Sequence, residues 1–252
     1  MIRLLKAGLF RLKKDILFWI FIFLTIGLAI LTLVRYVPIE GITLDSALNE
    51  FLIYIGLFIA IFVSIFVGKE HSQGIIRNKI IVGHSRFSIF LANLIICIIV
   101  SLLCELIYLA IIFLVGTPLL GQLQMTLSQF IGILVNTIFI IISFCSIYNF
   151  VTMLCSEITI STTICIILFI AMFIAQGAFS LTAHSSKYIE NAFYDENGNK
   201  HIISQEIDPN YPGDQKVKTA KIIYLSIPQG QAMEIKNNNL DSLQQMTIYS
   251  II

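Results

Sequence analysis

Long apolar runs, separated by short polar segments, fill the chain from residue 16 to residue 180. Five of these runs reach the length of about 20 residues that an α-helix needs to cross a bilayer core of roughly 30 Å. The runs cover residues 16–34, 51–68, 87–115, 130–153 and 158–180. The pattern therefore predicts an all-α integral membrane protein whose bundle, over residues 16–180, has five spans.

The composition agrees with an apolar surrounding. Charged residues make up 12% of the chain and hydrophobic residues 57%, whereas a soluble domain carries about 25% charged residues. The net charge of +1 produces no field that would attract nucleic acid, so we expect no nucleic-acid partner. All five cysteines lie within or at the ends of apolar runs, which favours packing roles over disulfides or a zinc site.

Motifs for catalysis or nucleotide binding are absent from the sequence. It contains no G-x-x-x-x-G-K-[ST], no H-E-x-x-H and no G-x-S-x-G, and each of these would indicate a specific chemistry. The four histidines are scattered, and none forms a pair at ligand spacing. We therefore expect a non-catalytic protein without cofactor or metal, driven by a partner or by a gradient.

Residues 1–15 combine apolar positions at helical spacing with basic positions on the other side. The apolar set is Ile2, Leu5, Leu9, Leu12 and Ile16, and the basic set is Arg3, Lys6, Lys13 and Lys14. This pattern predicts an amphipathic helix in the membrane interface, beside anionic lipid. The alternative is a disordered basic leader that only fixes topology. The run 16–34 is too long for a signal peptide, and no small-residue cleavage site follows it.

The distribution of basic residues predicts the orientation. Five Lys/Arg precede the first span, and the loop 69–86 carries four more, while the loop after the first span has only Arg35. We expect a plasma-membrane protein, for which the positive-inside rule predicts a cytoplasmic N-terminus, a cytoplasmic loop 69–86 and an extracellular segment 181–245. Residues 246–252 resemble the start of a sixth span, so either the chain is truncated or an even-numbered topology is incomplete.

Small residues recur every fourth position in the second span. They are Gly56, Ala60, Ser64 and Gly68. Such a stripe allows two helix backbones to approach closely in lipid, although small residues are also common in membrane helices by chance. We interpret the stripe as a helix-packing surface.

A polar stripe runs along the third span. It contains Asn93, Cys97, Ser101 and Glu105, and Tyr108 continues it. A glutamate in an apolar helix is costly, so it should face the bundle interior, a partner or water. One interpretation is a translocation path formed by Ser101, Glu105, Asn136 and Gln176. The other is a set of interhelical hydrogen bonds, each worth on the order of 1 kcal/mol.

The loop 69–86 has the pattern of a short amphipathic helix. Ser72 is a candidate N-cap, Gly83 a candidate C-terminal stop, and the apolar side would consist of Ile75, Ile76, Ile80 and Ile81. Apolar side chains with the neighbouring donors of Arg77, Asn78 and Lys79 suit a groove on another protein. The alternative is an ordinary polar hairpin on the membrane surface.

In this loop the sequence resembles a known family. Ser72-Gln-Gly-Ile-Ile-Arg-Asn-Lys79, followed by Gly83-His-Ser-Arg86, is similar to the cytoplasmic loop of permease subunits of type-2 ATP-binding-cassette exporters, which include bacitracin- and lantibiotic-resistance permeases. The resemblance covers the whole chain in layout, but only this loop in residues. It implies an interfacial N-terminal helix, six spans, a large extracellular segment before the last span, and a coupling helix that docks on a separate ATPase subunit.

Carried over residue by residue, the ATPase docking role falls on Glu70, Ser72, Gly74, Ile75, Ile76, Arg77, Asn78 and Lys79. The chain departs from the family in its missing sixth span. The resemblance implies one of two permease subunits, in a homo- or heterodimer, that exports a peptide antibiotic, a lipid-linked or another amphipathic substrate.

Three other functions compete with this expectation. One is an ion-exporting permease of the same class, and another is a non-transporting sensor or immunity protein that binds a peptide through its extracellular segment. An intramembrane enzyme has less support, because Glu105 lacks a catalytic partner that the sequence would reveal. Co-purification with an ATPase separates the two exporters from the other two.

Overall fold

The computed structural model describes residues 2–39, 43–194 and 200–237, with the side chains of residues 190–194 and 200–205 excepted. The helices are α1 (Ile2–Lys14), α2 (Ile16–Tyr36), α3 (Leu44–Leu48), α4 (Phe51–Ser72), α5 (Ile75–Ile81), α6 (Arg86–Ile111), α7 (Thr117–Leu120), α8 (Leu127–Leu154), α9 (Ile158–Ala183), α10 (Asp214–Ser226) and α11 (Pro228–Lys236). A π-helical turn, Ile112–Gly116, joins α6 to α7, and the strands are β1 (Tyr188–Tyr194) and β2 (Lys200–Ile207).

Five helices in these ranges are long and apolar enough to cross a membrane, which confirms that part of the prediction. They are α2, α4 with α3 before it, α6 extended to Leu120, α8 and α9. Their bounds differ from the predicted ones by several residues, because polar residues such as Ser72 continue the helical backbone beyond the apolar run and the short helix Leu44–Leu48 precedes α4. The predicted start of a sixth span, 246–252, lies outside the described residues.

The centre of the bundle is α4. In its most apolar window 67% of the residues are buried, against 17% for α9. The stripe of Gly56, Ala60, Ser64 and Gly68 lies against α8 and α9: a side chain at Gly56 would meet Phe144 and Phe169 at 2.8 and 2.9 Å. Close packing of small residues thus places α4 between its neighbours.

The N-terminal residues form a helix that packs on α6. Leu4, Gly8 and Leu12 are buried, and a side chain at Gly8 would run into Ile96. Ile2, which the sequence assigns to the apolar side, is exposed, because the packed face follows the i, i+4 series that begins at Leu4. A seat for α1 in the membrane interface stays a prediction.

The segment after α9 has a folded structure of its own. The strands β1 and β2 form an antiparallel hairpin with an irregularity between Asn191 and Ala192, which the all-α expectation did not include. The helix α10 then packs on α9, and α11 packs on α4, α8 and α9. Residues 195–199 and 238–245 of the predicted extracellular segment lie outside the described residues.

The helices α11 and α5 contact opposite ends of α4. Asn49 donates a hydrogen bond to the carbonyl of Ile235 in α11 at 3.3 Å, whereas Lys79 of α5 reaches Glu70 near the other end. The 22 residues of α4 span about 33 Å at 1.5 Å per residue. The two ends are therefore separated by about the thickness of a bilayer core.

Gly230 offers a sharp test of the α11 packing. A Cβ at this position would collide with the carbonyl of Tyr224, which is backbone and cannot turn away, whereas a Cβ at Gly177 of α9 meets nothing within 4 Å. We expect Gly230→Ala to cost about 1–3 kcal/mol of unfolding free energy, as overpacking does. Gly177→Ala should be neutral or stabilising by up to about 1 kcal/mol, because alanine favours helix.

The measurement is the unfolding of the detergent-solubilised protein by SDS, with the helix content as the readout. Equal unfolding midpoints for the two alanine variants would contradict the close approach of α11 to Tyr224.

Candidate functional site

The loop after α4 begins and ends with glycines in left-handed conformations. Gly74 has φ +68° and is the N-cap of α5. Ser72 lies in the last turn of α4, where its hydroxyl donates to the carbonyl of Lys69, so the prediction of Ser72 as the cap was wrong. At the other end Gly83 has φ +96°. The N–H of Gly83 donates to the carbonyl of Ile80, and the N–H of His84 donates to the carbonyl of Lys79. These two bonds form a Schellman motif, which confirms the predicted end of the helix at Gly83.

A buried carboxylate organises the base of this loop. Glu70 is only 1% exposed. It accepts hydrogen bonds from Arg11 and Lys79, both at 2.6 Å, and from the amide of Asn93 at 2.8 Å. Arg11 also lies over the ring of Phe66 at 4.1 Å. The charge-assisted bonds of Glu70 thereby connect α1, α4, α5 and α6.

This burial changes the role predicted for two residues. Glu70 was expected to contact an ATPase, but it has no surface to offer, because three donors of the same chain surround it. The half-buried side chain of Lys79 points to the same carboxylate. Both residues therefore position α5 within the chain instead of forming its outer surface.

The predicted apolar side of the loop is divided in the structure. Ile76 is 8% exposed and clusters with Leu4, Ile89 and Ala92. Ile81 is 72% exposed. It follows Ile76 by five positions, and five steps of about 100° place its side chain about 140° away from that of Ile76 around the helix axis. A seven-residue helix can bury only one face against the bundle, so Ile76 is a core residue and Ile81 is a surface residue.

The exposed part of the loop has an apolar tip. Ile81 and Val82, the latter 77% exposed, stand beside the exposed amide of Asn78; we call Asn78, Ile81 and Val82 the loop tip. The sequence reasoning missed Val82, although its position directly before a helix-ending glycine was a usable signal. Of the other predicted docking residues, Ser72 and Arg77 are exposed, and Gly74 and Ile75 are half-buried.

The predicted path residues Ser101, Glu105, Asn136 and Gln176 are all buried. Ser101 donates to the carbonyl of Cys97, and Asn136 donates to that of Gly132, each within its own helix. Gln176 is buried in α9. The Oε2 atom of Glu105 is buried without a hydrogen-bond partner in the part of the chain that the structure describes.

A second buried carboxylate lies at the opposite end of α4. Glu50 accepts a hydrogen bond from Tyr36 at 2.9 Å and pairs with Arg35 at 3.2 Å and with Lys236 of α11 at 3.9 Å. The predictions from the sequence include no role for Glu50. Its position immediately before an apolar run was the signal of a buried helix end.

Beyond the bundle, two tyrosines of the α10 region have shifted acid–base properties. The hydroxyl of Tyr211 donates to Asp214 at 2.7 Å. This bond, followed by the charge of Lys187, lowers the pKa of Asp214, and the same bond raises the pKa of Tyr211. Burial raises the pKa of Tyr224.

Comparisons of the chain with protein-family models, with curated proteins and with solved structures found no match.

Replacing Glu70 tests whether its pairs support the loop. Glu70→Gln leaves Arg11 and Lys79 without a countercharge next to a buried amide, and it should cost about 3 kcal/mol of unfolding free energy, as broken buried pairs do when the cations keep some exposure. Glu157→Gln makes the same change at an exposed carboxylate and should be nearly neutral.

The readout is SDS unfolding in detergent, together with trypsin cleavage after Arg77, which reports release of α5. If Glu70→Gln unfolds and is cleaved like Glu157→Gln, the cluster does not hold α5 in place.

Proposed function

We propose that the chain is the membrane permease subunit of an ATP-driven exporter, and that a separate cytoplasmic ATPase docks on the loop tip. The single observation that carries this proposal is the exposure of Ile81 and Val82 on a short helix that is fixed from behind by Glu70. Exposed apolar side chains on a rigid support are typical of a protein interaction site.

The need for a separate ATPase supports the same function. The sequence offers no phosphate-binding loop, so ATP hydrolysis has to come from a partner. The loop tip supplies a place for that partner at the end of the bundle where the basic residues of α1 and loop 69–86 cluster. Under the positive-inside rule this end is cytoplasmic, which is where ATP is available.

Docking on α5 would also act on other helices, because Glu70 connects Lys79 of α5 to Arg11 and Asn93. A partner that moves α5 pulls on Lys79, and through Glu70 on Arg11 of α1 and Asn93 of α6. Coupling of this kind needs packed elements with two arrangements. The alternation of inward- and outward-open pairs of permease subunits would supply the two arrangements.

The substrate we propose is amphipathic: a peptide antibiotic or a lipid-linked compound that crosses between two permease subunits. Glu105, Ser101, Asn136 and Gln176 remain candidates for its path. Among these, Glu105 has the strongest support, because its buried Oε2 atom lacks a partner among the described residues. The same atom is the observation that favours the alternative of ion export.

Topology is the first test. Cysteines at Asn210 and Asn78, both exposed, are introduced singly after the five native cysteines are replaced. On intact cells, an impermeant maleimide should label Asn210→Cys and should reach Asn78→Cys only after lysis. The reverse pattern would contradict the cytoplasmic loop tip, and with it the exporter.

Docking is the second test. Val82→Asp places a charge where we expect an apolar contact, and it should weaken the association with the co-purifying ATPase by roughly 2 kcal/mol, or about thirtyfold. The fold should persist, because Val82 is exposed. Ile222→Asp adds the same charge to exposed α10 and should leave docking unchanged, while Ile76→Asp should destabilise the permease itself.

The assay is pull-down of the ATPase and stimulation of its hydrolysis by the purified permease. An ATPase that binds Val82→Asp as well as the wild-type chain, or wild-type chain that captures no ATPase, would contradict the proposal.

A further inference from the structure

A cavity of about 490 Å³ lies between α5 and the adjoining ends of α4, α6 and α8. Its apolar walls are formed by Ile76, Ile80, Ile81, Ile89 and Met153, and its polar members are His71, Arg77 and Arg86. Both arginines are exposed, whereas Ile76 and Ile89 are buried. The cavity is therefore cationic toward the surface and apolar toward the bundle.

The polar groups of this cavity lack partners within the described chain. His71 Nε2 is buried with no hydrogen bond to a described residue, and neither Arg77 nor Arg86 is within an ion-pair distance of a described carboxylate. At the same end of the bundle Arg11 and Lys69 do have carboxylate partners. Two unpaired guanidinium groups and a buried imidazole nitrogen therefore line one cavity, and guanidinium groups are donors that suit an anion.

The position of the cavity indicates the source of the anion. The apolar helices α4 and α8 end here, at Ser72 and Leu154, and α6 begins here at Arg86. The ends of membrane-crossing helices lie at the level of lipid headgroups, where basic side chains bind anionic lipid. A lipid would also explain the apolar walls, which a free phosphate ion or a protein carboxylate does not need.

We propose that this cavity binds an anionic phospholipid, with its phosphate on Arg77 and Arg86 and the upper part of an acyl chain against Ile89 and Met153. A bound lipid would fill the space between α5 and the ends of α4, α6 and α8 and thereby add to the support that Glu70 gives to α5. The site goes beyond the docking of an ATPase, and it can be tested without one.

The experiment measures lipid binding to the full chain in neutral detergent by native mass spectrometry. Wild-type chain should retain phosphatidylglycerol in preference to phosphatidylcholine. Arg77→Gln combined with Arg86→Gln should weaken this retention on the order of tenfold. Arg3→Gln combined with Lys6→Gln removes the same charge from exposed positions of α1, which are expected to meet anionic lipid only in general, and should weaken the retention clearly less.

A variant with lysine at both positions, Arg77→Lys with Arg86→Lys, should restore most of the binding, which separates loss of the site from loss of the fold. Equal weakening in the α1 control would show general attraction to anionic lipid and overturn the proposal. So would the absence of a preference for phosphatidylglycerol in wild-type chain, the result expected if the cavity holds an acidic protein segment. Displacement of the lipid by millimolar inorganic phosphate would assign the site to the free ion.

Discussion

Two buried carboxylates, one at each end of α4, are the constraint on which the arrangement of the other helices depends. Glu50 directly precedes the helix, and Glu70 lies in its last turn. A buried charge without a partner costs several kcal/mol, so each carboxylate requires cations from other elements. These cations come from α1 and α5 at one end and from α2 and α11 at the other. The segments at both ends of the bundle are thus attached to the same central helix.

The part of α4 between these two charged ends is held by close packing, together with a hydrogen bond from Ser161 to the carbonyl of Ser64. Gly56 lies against the rings of Phe144 and Phe169, and Gly68 lies against Ser161. Tight contacts between small residues and large rings transmit displacement, because a packed interior has little free volume. The helices α2 and α9 are much less buried than α4, so their outer faces are open to lipid or to another membrane chain. A movement that starts at α5 would therefore reach α11 through α4, whereas α2 and α9 are better placed to contact what surrounds the bundle.

The sequence predicts the long helices well and the site only partly, for one physical reason. Hydropathy is a local property, so the five apolar helices can be read from consecutive residues. The burial of Glu70 is not local: it depends on Arg11, which is 59 positions earlier in the chain. Similarly, the loop's periodicity shows an apolar face, but only the packing of α1 and α6 determines that Ile76 is inside and Ile81 outside. The hairpin of β1 and β2 belongs to a polar segment in which no periodicity distinguishes strand from loop.

The polar stripe of α6 indicates how structural and functional residues in an apolar helix can be told apart. Asn93 and Glu105 lie on the same stripe, and the sequence treats them alike. The amide of Asn93 is accounted for by Glu70, so it needs no further explanation than the cost of leaving either group unpaired. Glu105 has a buried oxygen for which the described residues supply no donor. Tyr148 and Asn149 of α8 also have buried oxygens without a described partner, so Glu105 differs from them by its ionisable carboxyl, which makes it the costliest of the three to leave unpaired in an apolar helix.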